Sequence, residues 1–200
     1  MQHDFILLDR SGSMSGSLWT EALGAVNGYV SKLAEDKIDT GVTLCVFDGS
    51  GFDVIRDRII PSTWHQVSDA DVTPRGSTPL NDAVGKIVAL AEKGSYDKVA
   101  IIIMTDGHEN ASHELTVQQA KDLLDRCRAK NWQVIFLGAN FDNASQGASY
   151  GNVAAMTASV AAGNLRASTI TLSAKRASYG ATGQSMSFTD KEKDLLKQKR

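Results

Sequence analysis

Several features are scarce in this chain. Net charge is nearly absent: 21 Lys and Arg against 23 Asp and Glu leave -2 at neutral pH. No field strong enough to gather nucleic acid non-specifically is expected from that balance. Only two cysteines occur, Cys45 in an apolar run and Cys127 in a helical pattern. Two isolated cysteines do not make a disulfide framework, so buried reduced thiols are expected. No apolar stretch approaches the roughly 20 residues needed to cross a bilayer. The opening run Phe5-Ile6-Leu7-Leu8 is too short for a secretory signal and lacks its charged start. The expectation is a cytoplasmic protein that engages neither membrane nor nucleic acid. A Gly-x-x-x-x-Gly-Lys phosphate loop is also missing.

What remains is an ordinary globular composition, 42% hydrophobic and 22% charged over 200 residues, enough for one domain with a substantial core. Strand and helix signals alternate along it. Phe5 to Leu8, Val42 to Phe47, Phe52 to Ile60, Val99 to Met104, Val134 to Leu137 and Val153 to Met156 read as strands. Helical spacing marks 17–35, the segment opened by Thr78-Pro79, Leu115 to Lys130, a short stretch from Asp142 to Ser149, and Asn164 to Tyr179. The turn Asp48-Gly49-Ser50-Gly51 makes a hairpin of the second and third strands. Alternation of this kind predicts an α/β fold: a doubly wound, mainly parallel six-stranded sheet with one antiparallel edge strand. Residues 1–180 form the domain on this reading. Residues 181–200 are a charged tail, with Gly180-Ala181-Thr182-Gly183 linker-like and Thr189-Asp190-Lys191-Glu192 capping a short helix.

In such sheets ligands bind beyond the carboxyl ends of the strands, where strand order reverses. Asp9-Arg10-Ser11-Gly12-Ser13 follows the first strand directly, and Asp106 follows the 99–104 strand. Thr78 sits at a helix start after the long polar loop 61–77. Taken singly, each has a bland reading: a serine-rich helix cap, a threonine N-cap, a turn aspartate before Gly107. Together they offer two carboxylates and three hydroxyls, an oxygen-only set that suits Mg2+, with Mn2+ or Ca2+ as alternatives, and suits zinc poorly.

Asp9-x-Ser11-x-Ser13, Thr78 within Gly76-Ser77-Thr78-Pro79-Leu80, and Asp106 within Thr105-Asp106-Gly107 resemble the metal-ion-dependent adhesion site of von Willebrand factor A domains. The run from Phe5 to Met14 is especially similar to soluble bacterial and phage members. The resemblance covers residues 4 to 157 in order and spacing and weakens over 158–200. It implies that Ser11, Ser13 and Thr78 bind the metal directly and that Asp9 and Asp106 act directly or through water. It also implies an open metal position that a partner protein fills with an Asp or Glu. The rim of such a site would be the 14–18 and 61–77 loops, His108 to Glu114, and Asn140 to Asn143. Relatives of this kind work beside AAA+ ATPases or in stress-response systems.

Other readings compete. His108, Glu109, His113 and Glu114 suggest zinc, but the two histidines are five residues apart and would diverge on a helix. A Mg2+-dependent hydrolase would need His108 or Glu109 as a general base, and nothing in the sequence pairs them. A structural component of a larger assembly, such as a phage particle, would use the metal only to stabilise the fold. Binding without catalysis is the expected function; the sequence leaves the oligomeric state open.

Overall fold

The computed structural model describes residues 1–106, 109–139, 149–151, 156–160 and 164–197. Six strands, β1 (Gln2–Asp9), β2 (Gly41–Asp48), β3 (Gly51–Ile59), β4 (Lys98–Met104), β5 (Gln133–Ala139) and β6 (Thr157–Val160), form one sheet in the order β3-β2-β1-β4-β5-β6. All neighbours run parallel except β3, the antiparallel edge strand beside β2. The expected architecture is therefore the observed one, and strand order reverses between β1 and β4.

β1, β2 and β4 carry long buried runs because both faces are covered, whereas the edge strand β3 is charged and partly exposed. Ile6 and Leu8 of β1 face one core with Ala100, Ile102 and Met104 of β4, under α1 (Ser17–Glu35) and α4 (Leu165–Thr182). Phe5 and Leu7 face the other with Val99, Ile101 and Ile103, under α2 (Leu80–Glu92) and α3 (Val117–Ala129). Cys45 and Cys127 are both buried and free, and burial pushes their thiols up to about 12 and about 11. No described helix is long and apolar enough to cross a membrane.

Several boundaries differ from the sequence reading. Helix α3 starts at Val117 rather than Leu115, because Thr116 is extended (φ -79, ψ 163) and stands at the N-cap, while the Leu115 N–H is donated to the Asp82 carboxylate. Thr116 then caps the helix in a reciprocal box with Gln119. The last strand lies at Thr157–Val160, after the expected 153–156; of that stretch 153–155 lie outside the described residues, as do 142–148 of the expected short helix. Gly180 to Thr182 is not a linker but the last turn of α4, and the Gly180 carbonyl accepts from Lys98 Nζ. Beyond it, Met186, Phe188 and Leu196 of α5 (Asp190–Lys197) are buried in the α1–α4 core, and Thr189 and Glu192 make the expected capping box.

A polar cluster sits at the amino-terminal end of the sheet. Arg176 of α4, fully buried, donates to Asp4 of β1, and Tyr29 of α1 donates to the same carboxylate at 2.8 Å. Nearby, His3 is 1% exposed, with Nε2 at 2.9 Å from Thr43 Oγ1 and its ring against Phe5 and Tyr96. Burial pushes its pKa down from 6.5 to about 4. The native state therefore holds a neutral ring where the unfolded chain would take a proton, so stability falls as pH drops from about 6.5 towards about 4, by up to about 3 kcal/mol. Urea unfolding at pH 7 and pH 4.5 should show a larger loss in the wild type than in His3→Gln, and equal losses would rule out this role for His3.

Candidate metal centre

Parallel pairing of β1 and β4 sets Leu8 opposite Met104. Asp9 and Thr105 are therefore neighbours at the carboxyl end of the sheet, and Thr105 Oγ1 donates to Asp9 Oδ2 at 2.6 Å. Asp9 Oδ1 accepts the Ser11 N–H at 2.7 Å. Both carboxylate oxygens are thus fixed, and the side chain is fully buried. Beyond it the chain turns through a 3-10 segment, Gly12–Met14, anchored by the buried Met14. Ser11 Oγ and Ser13 Oγ lie 3.1 Å apart, and Ser13 Oγ donates to Asp106 Oδ1 at 2.9 Å. One run of hydrogen bonds therefore links Asp9, Ser11, Ser13 and Asp106 across two strand ends.

Thr78 approaches from a third loop. The Gly12 N–H donates to the Gly76 carbonyl at 2.9 Å and the Arg75 N–H to the Arg10 carbonyl at 2.7 Å. Gly76 has φ +69, the left-handed region, and a side chain there would press on Gly49. Thr78 is 2% exposed. No hydrogen bond joins its hydroxyl to the other four side chains among the described residues.

The capping readings of the serines and of Thr78 do not hold. Ser11 stands at the N-cap position of the Gly12–Met14 3-10 segment but its side chain makes no capping bond, and α1 begins only after Gly16. Thr78 is not the N-cap of α2: that position is Pro79, and no side chain caps it. The first amides of α2 are instead met by the segment that follows Asp106. Asn81 N–H donates to Glu109 and Asp82 N–H to Ser112 Oγ. Thr78 and Asn110 exchange bonds, the Thr78 N–H to Asn110 Oδ1 at 2.9 Å and the Asn110 N–H to the Thr78 carbonyl at 3.2 Å. Asp82 accepts the successive amides of His113, Glu114 and Leu115. Sequence reasoning put Glu109, Asn110 and Ser112 on the rim but missed these bonds, and missed Asp82 altogether, because each acts on backbone groups far away in the chain.

Electrostatics favour a cation. Neither Asp9 nor Asp106 has an ion-pair partner among the described residues, and a buried carboxylate without one is costly. Burial raises both pKa values; the Asp106 charge adds to the effect on Asp9, while bonds from Thr105 and Ser11 to Asp9, and from Ser13 to Asp106, oppose it. Two carboxylates and two hydroxyls already in contact, with a third hydroxyl on the adjoining loop, fit a hard divalent ion.

The zinc and hydrolase readings gain nothing. Among the described residues no three His, Cys, Asp or Glu side chains are grouped to hold a metal. His108 lies outside the described residues, as do Asn140 to Asn143 of the expected rim. Glu109 is engaged by four donors, from Asn81, Ala111 and twice from Ser112. Burial opposes its charge, but those bonds prevail and hold its pKa below the usual range. Glu114 pairs with Lys86 at 3.0 Å.

Asp82→Ala would leave three amides of the 113–115 segment without acceptors. A loss on the order of 3 kcal/mol in urea unfolding is expected, and a loss under about 1 kcal/mol would show that water replaces the carboxylate freely.

The von Willebrand factor type A domain model matches residues 5–166. No curated protein matches the chain in sequence. Among solved structures, the vWF domain of the type V pili tip protein Mfa5 from Porphyromonas gingivalis gives a TM-score of 0.72 at 11% identity, covering 94% of this chain and 98% of that one. A von Willebrand factor type A protein from Catenulispora acidiphila gives 0.68 at 14%, covering 88% of this chain and 42% of that one. The manganese-loaded TRAP protein of Plasmodium vivax gives 0.57 at 17%, covering 82% and 70%. Identities this low speak for a shared fold alone. With its own sequence matching the family model over most of its length, the chain belongs to the von Willebrand factor type A domain family.

Proposed function

We propose that this domain is a divalent-metal-dependent protein-binding module, in which Asp9, Ser11, Ser13, Thr78 and Asp106 hold Mg2+. The observation that carries the reading is the pair of carboxylates, Asp9 and Asp106, without a counter-cation among the described residues and joined through Ser11 and Ser13. Two negative charges balance a divalent ion without over-neutralising it. When bound, the ion supplies an electrophilic position that an Asp or Glu of a partner protein completes. The chain's own groups do the rest. Thr105 and the Ser11 amide orient Asp9, the 109–115 segment fixes the start of α2, and the Gly12–Gly76 bond sets the Thr78 loop against the first motif.

Catalysis is not part of the proposal, since Glu109, the described candidate base, is held by four donors. Mn2+ suits the same oxygen set, and one relative was solved with manganese. Another belongs to a pilus tip protein, which agrees with a role in recognition.

Calorimetry should give Mg2+ binding in the wild type, binding weakened at least 10-fold in Ser13→Ala, and none in Asp9→Ala. Equal affinity in all three would reject the site. The open position has its own test. With Mn2+-loaded protein, water-proton relaxation enhancement should fall when acetate is added in excess, a carboxylate displacing water. An unchanged enhancement would argue against carboxylate recognition.

A further inference from the structure

The turn between β2 and β3 lies outside the five-residue set, yet it touches both loops that carry the set. Asp9 pairs with Phe47 in the β1–β2 register, so Arg10 and Asp48 come next on the two strands. Asp48 is the last residue of β2, and its side chain is fully buried. Its Oδ2 accepts from Arg10 Nε at 2.6 Å and from Arg75 Nε at 2.7 Å. Its Oδ1 accepts the Ser50 N–H. Arg10 stands between Asp9 and Ser11, and Arg75 stands immediately before the Gly76–Thr78 segment. A single carboxylate thus grips both loops, and the Arg75 N–H closes the ring on the Arg10 carbonyl at 2.7 Å.

A second feature points the same way. A Cβ on Gly49 would lie 2.3 Å from Ser77 Oγ, so the turn is bare where the Thr78 loop rests on it. Asp53 also pairs with Arg10, but it is 54% exposed. Burial opposes the charge on Asp48; the Arg75 bond, the Ser50 amide and Arg10 outweigh it and hold the carboxyl below its usual range.

We infer that Asp48 is a positioning residue for the metal centre: by binding Arg10 and Arg75 together, it holds the Asp9–Ser13 loop and the Gly76–Thr78 loop at the separation that metal binding requires. This inference rests on the metal-binding reading. Asp48 touches no metal ligand side chain; it acts through the two arginines. Removing its charge leaves the buried Arg10 and the 56% exposed Arg75 side by side, with only the exposed Asp53 among the described residues to balance them. The loops then part, and Thr78 no longer shares a shell with Ser11 and Ser13. Outer groups of this sort typically alter metal affinity by roughly 10–100-fold.

The test uses the whole chain with Mg2+ as the probe and three variants: Asp48→Asn, Asp53→Asn, and Tyr29→Phe as a control for destabilisation at the far end of the sheet. Calorimetry should show Mg2+ affinity reduced at least 10-fold in Asp48→Asn and within about 2-fold of wild type in the other two. Hydrogen exchange on metal-free protein should show the Gly12 and Arg75 amides exchanging at least 10-fold faster in Asp48→Asn, relative to amides of β4, and unchanged in Tyr29→Phe. A merely structural role would lower protection throughout and leave the affinity of the folded fraction intact. If the wild type and Ser13→Ala differ in Mg2+ affinity while Asp48→Asn matches the wild type, the positioning role is wrong and the metal site stands. If Gly12 and Arg75 keep their protection in Asp48→Asn, the clamp is wrong. If the wild type takes up no Mg2+, the metal reading falls and this inference with it.

Discussion

Parallel pairing of β1 with β4 in a single register is the constraint on which this end of the molecule depends. With Leu8 opposite Met104, Asp9 and Thr105 face each other and Asp106 lies one residue beyond. The same register places Phe5 and Leu7 in one core and Ile6 and Leu8 in the other. A slip of one residue would exchange the cores and turn Asp9 away from Thr105. Burial of the two central strands therefore fixes the chemistry at their ends. The core enforces a placement of carboxylates that local preference alone would not choose, because Asp9 is wholly buried and lacks a cation among the described residues.

Around that point the loops are tied down mostly by polar contacts. The 61–77 loop is held at its middle by Asn27, which bonds Trp64 and both backbone groups of Val67. At its end it is held by Arg75 and Gly76. The segment after Asp106 is zipped to the start of α2 through Thr78·Asn110, Asn81·Glu109 and Asp82 with the 113–115 amides. The Asn81 bond satisfies a backbone donor that a helix start leaves open, the others satisfy loop amides, and together they make a rigid frame of three loops. Rigidity matters for a hydroxyl-rich site, since neutral oxygens bind a cation weakly unless they are already in place. The repelling carboxylates are a local cost that the remainder of the fold offsets, a pattern common at functional sites.

Much of this could be read in the sequence. Apolar runs of strand length between helical stretches gave the sheet, and the hairpin at Asp48 to Gly51 gave its antiparallel edge. Asp9 and Asp106 stood out because each follows a core strand directly. What could not be read were the contacts with no local signature. Asp4 and Arg176 are a strand residue and a helix residue that look solvent-facing in isolation, yet they pair in the core. Thr105 looks like a spacer before Asp106 but donates to Asp9. Asp48 looks like a turn former, and only the β1–β2 register reveals that it receives two arginines. Leu115 fits the helical period of α3, yet the helix starts at Val117 because Thr116 is extended and caps it with Gln119, and Asp82 takes the three amides just before the cap. Periodicity reports burial, whereas backbone donors are allotted by tertiary neighbours.

The central claim is that the three loops converge on one divalent cation. Crystals grown with Mn2+ and measured at the manganese absorption edge test it most directly. The expected result is a single strong anomalous peak within bonding distance of the Ser11, Ser13 and Thr78 hydroxyls, with Asp9 and Asp106 bonded to the ion or to its water. A peak elsewhere on the chain, or none at saturating Mn2+, would contradict the account.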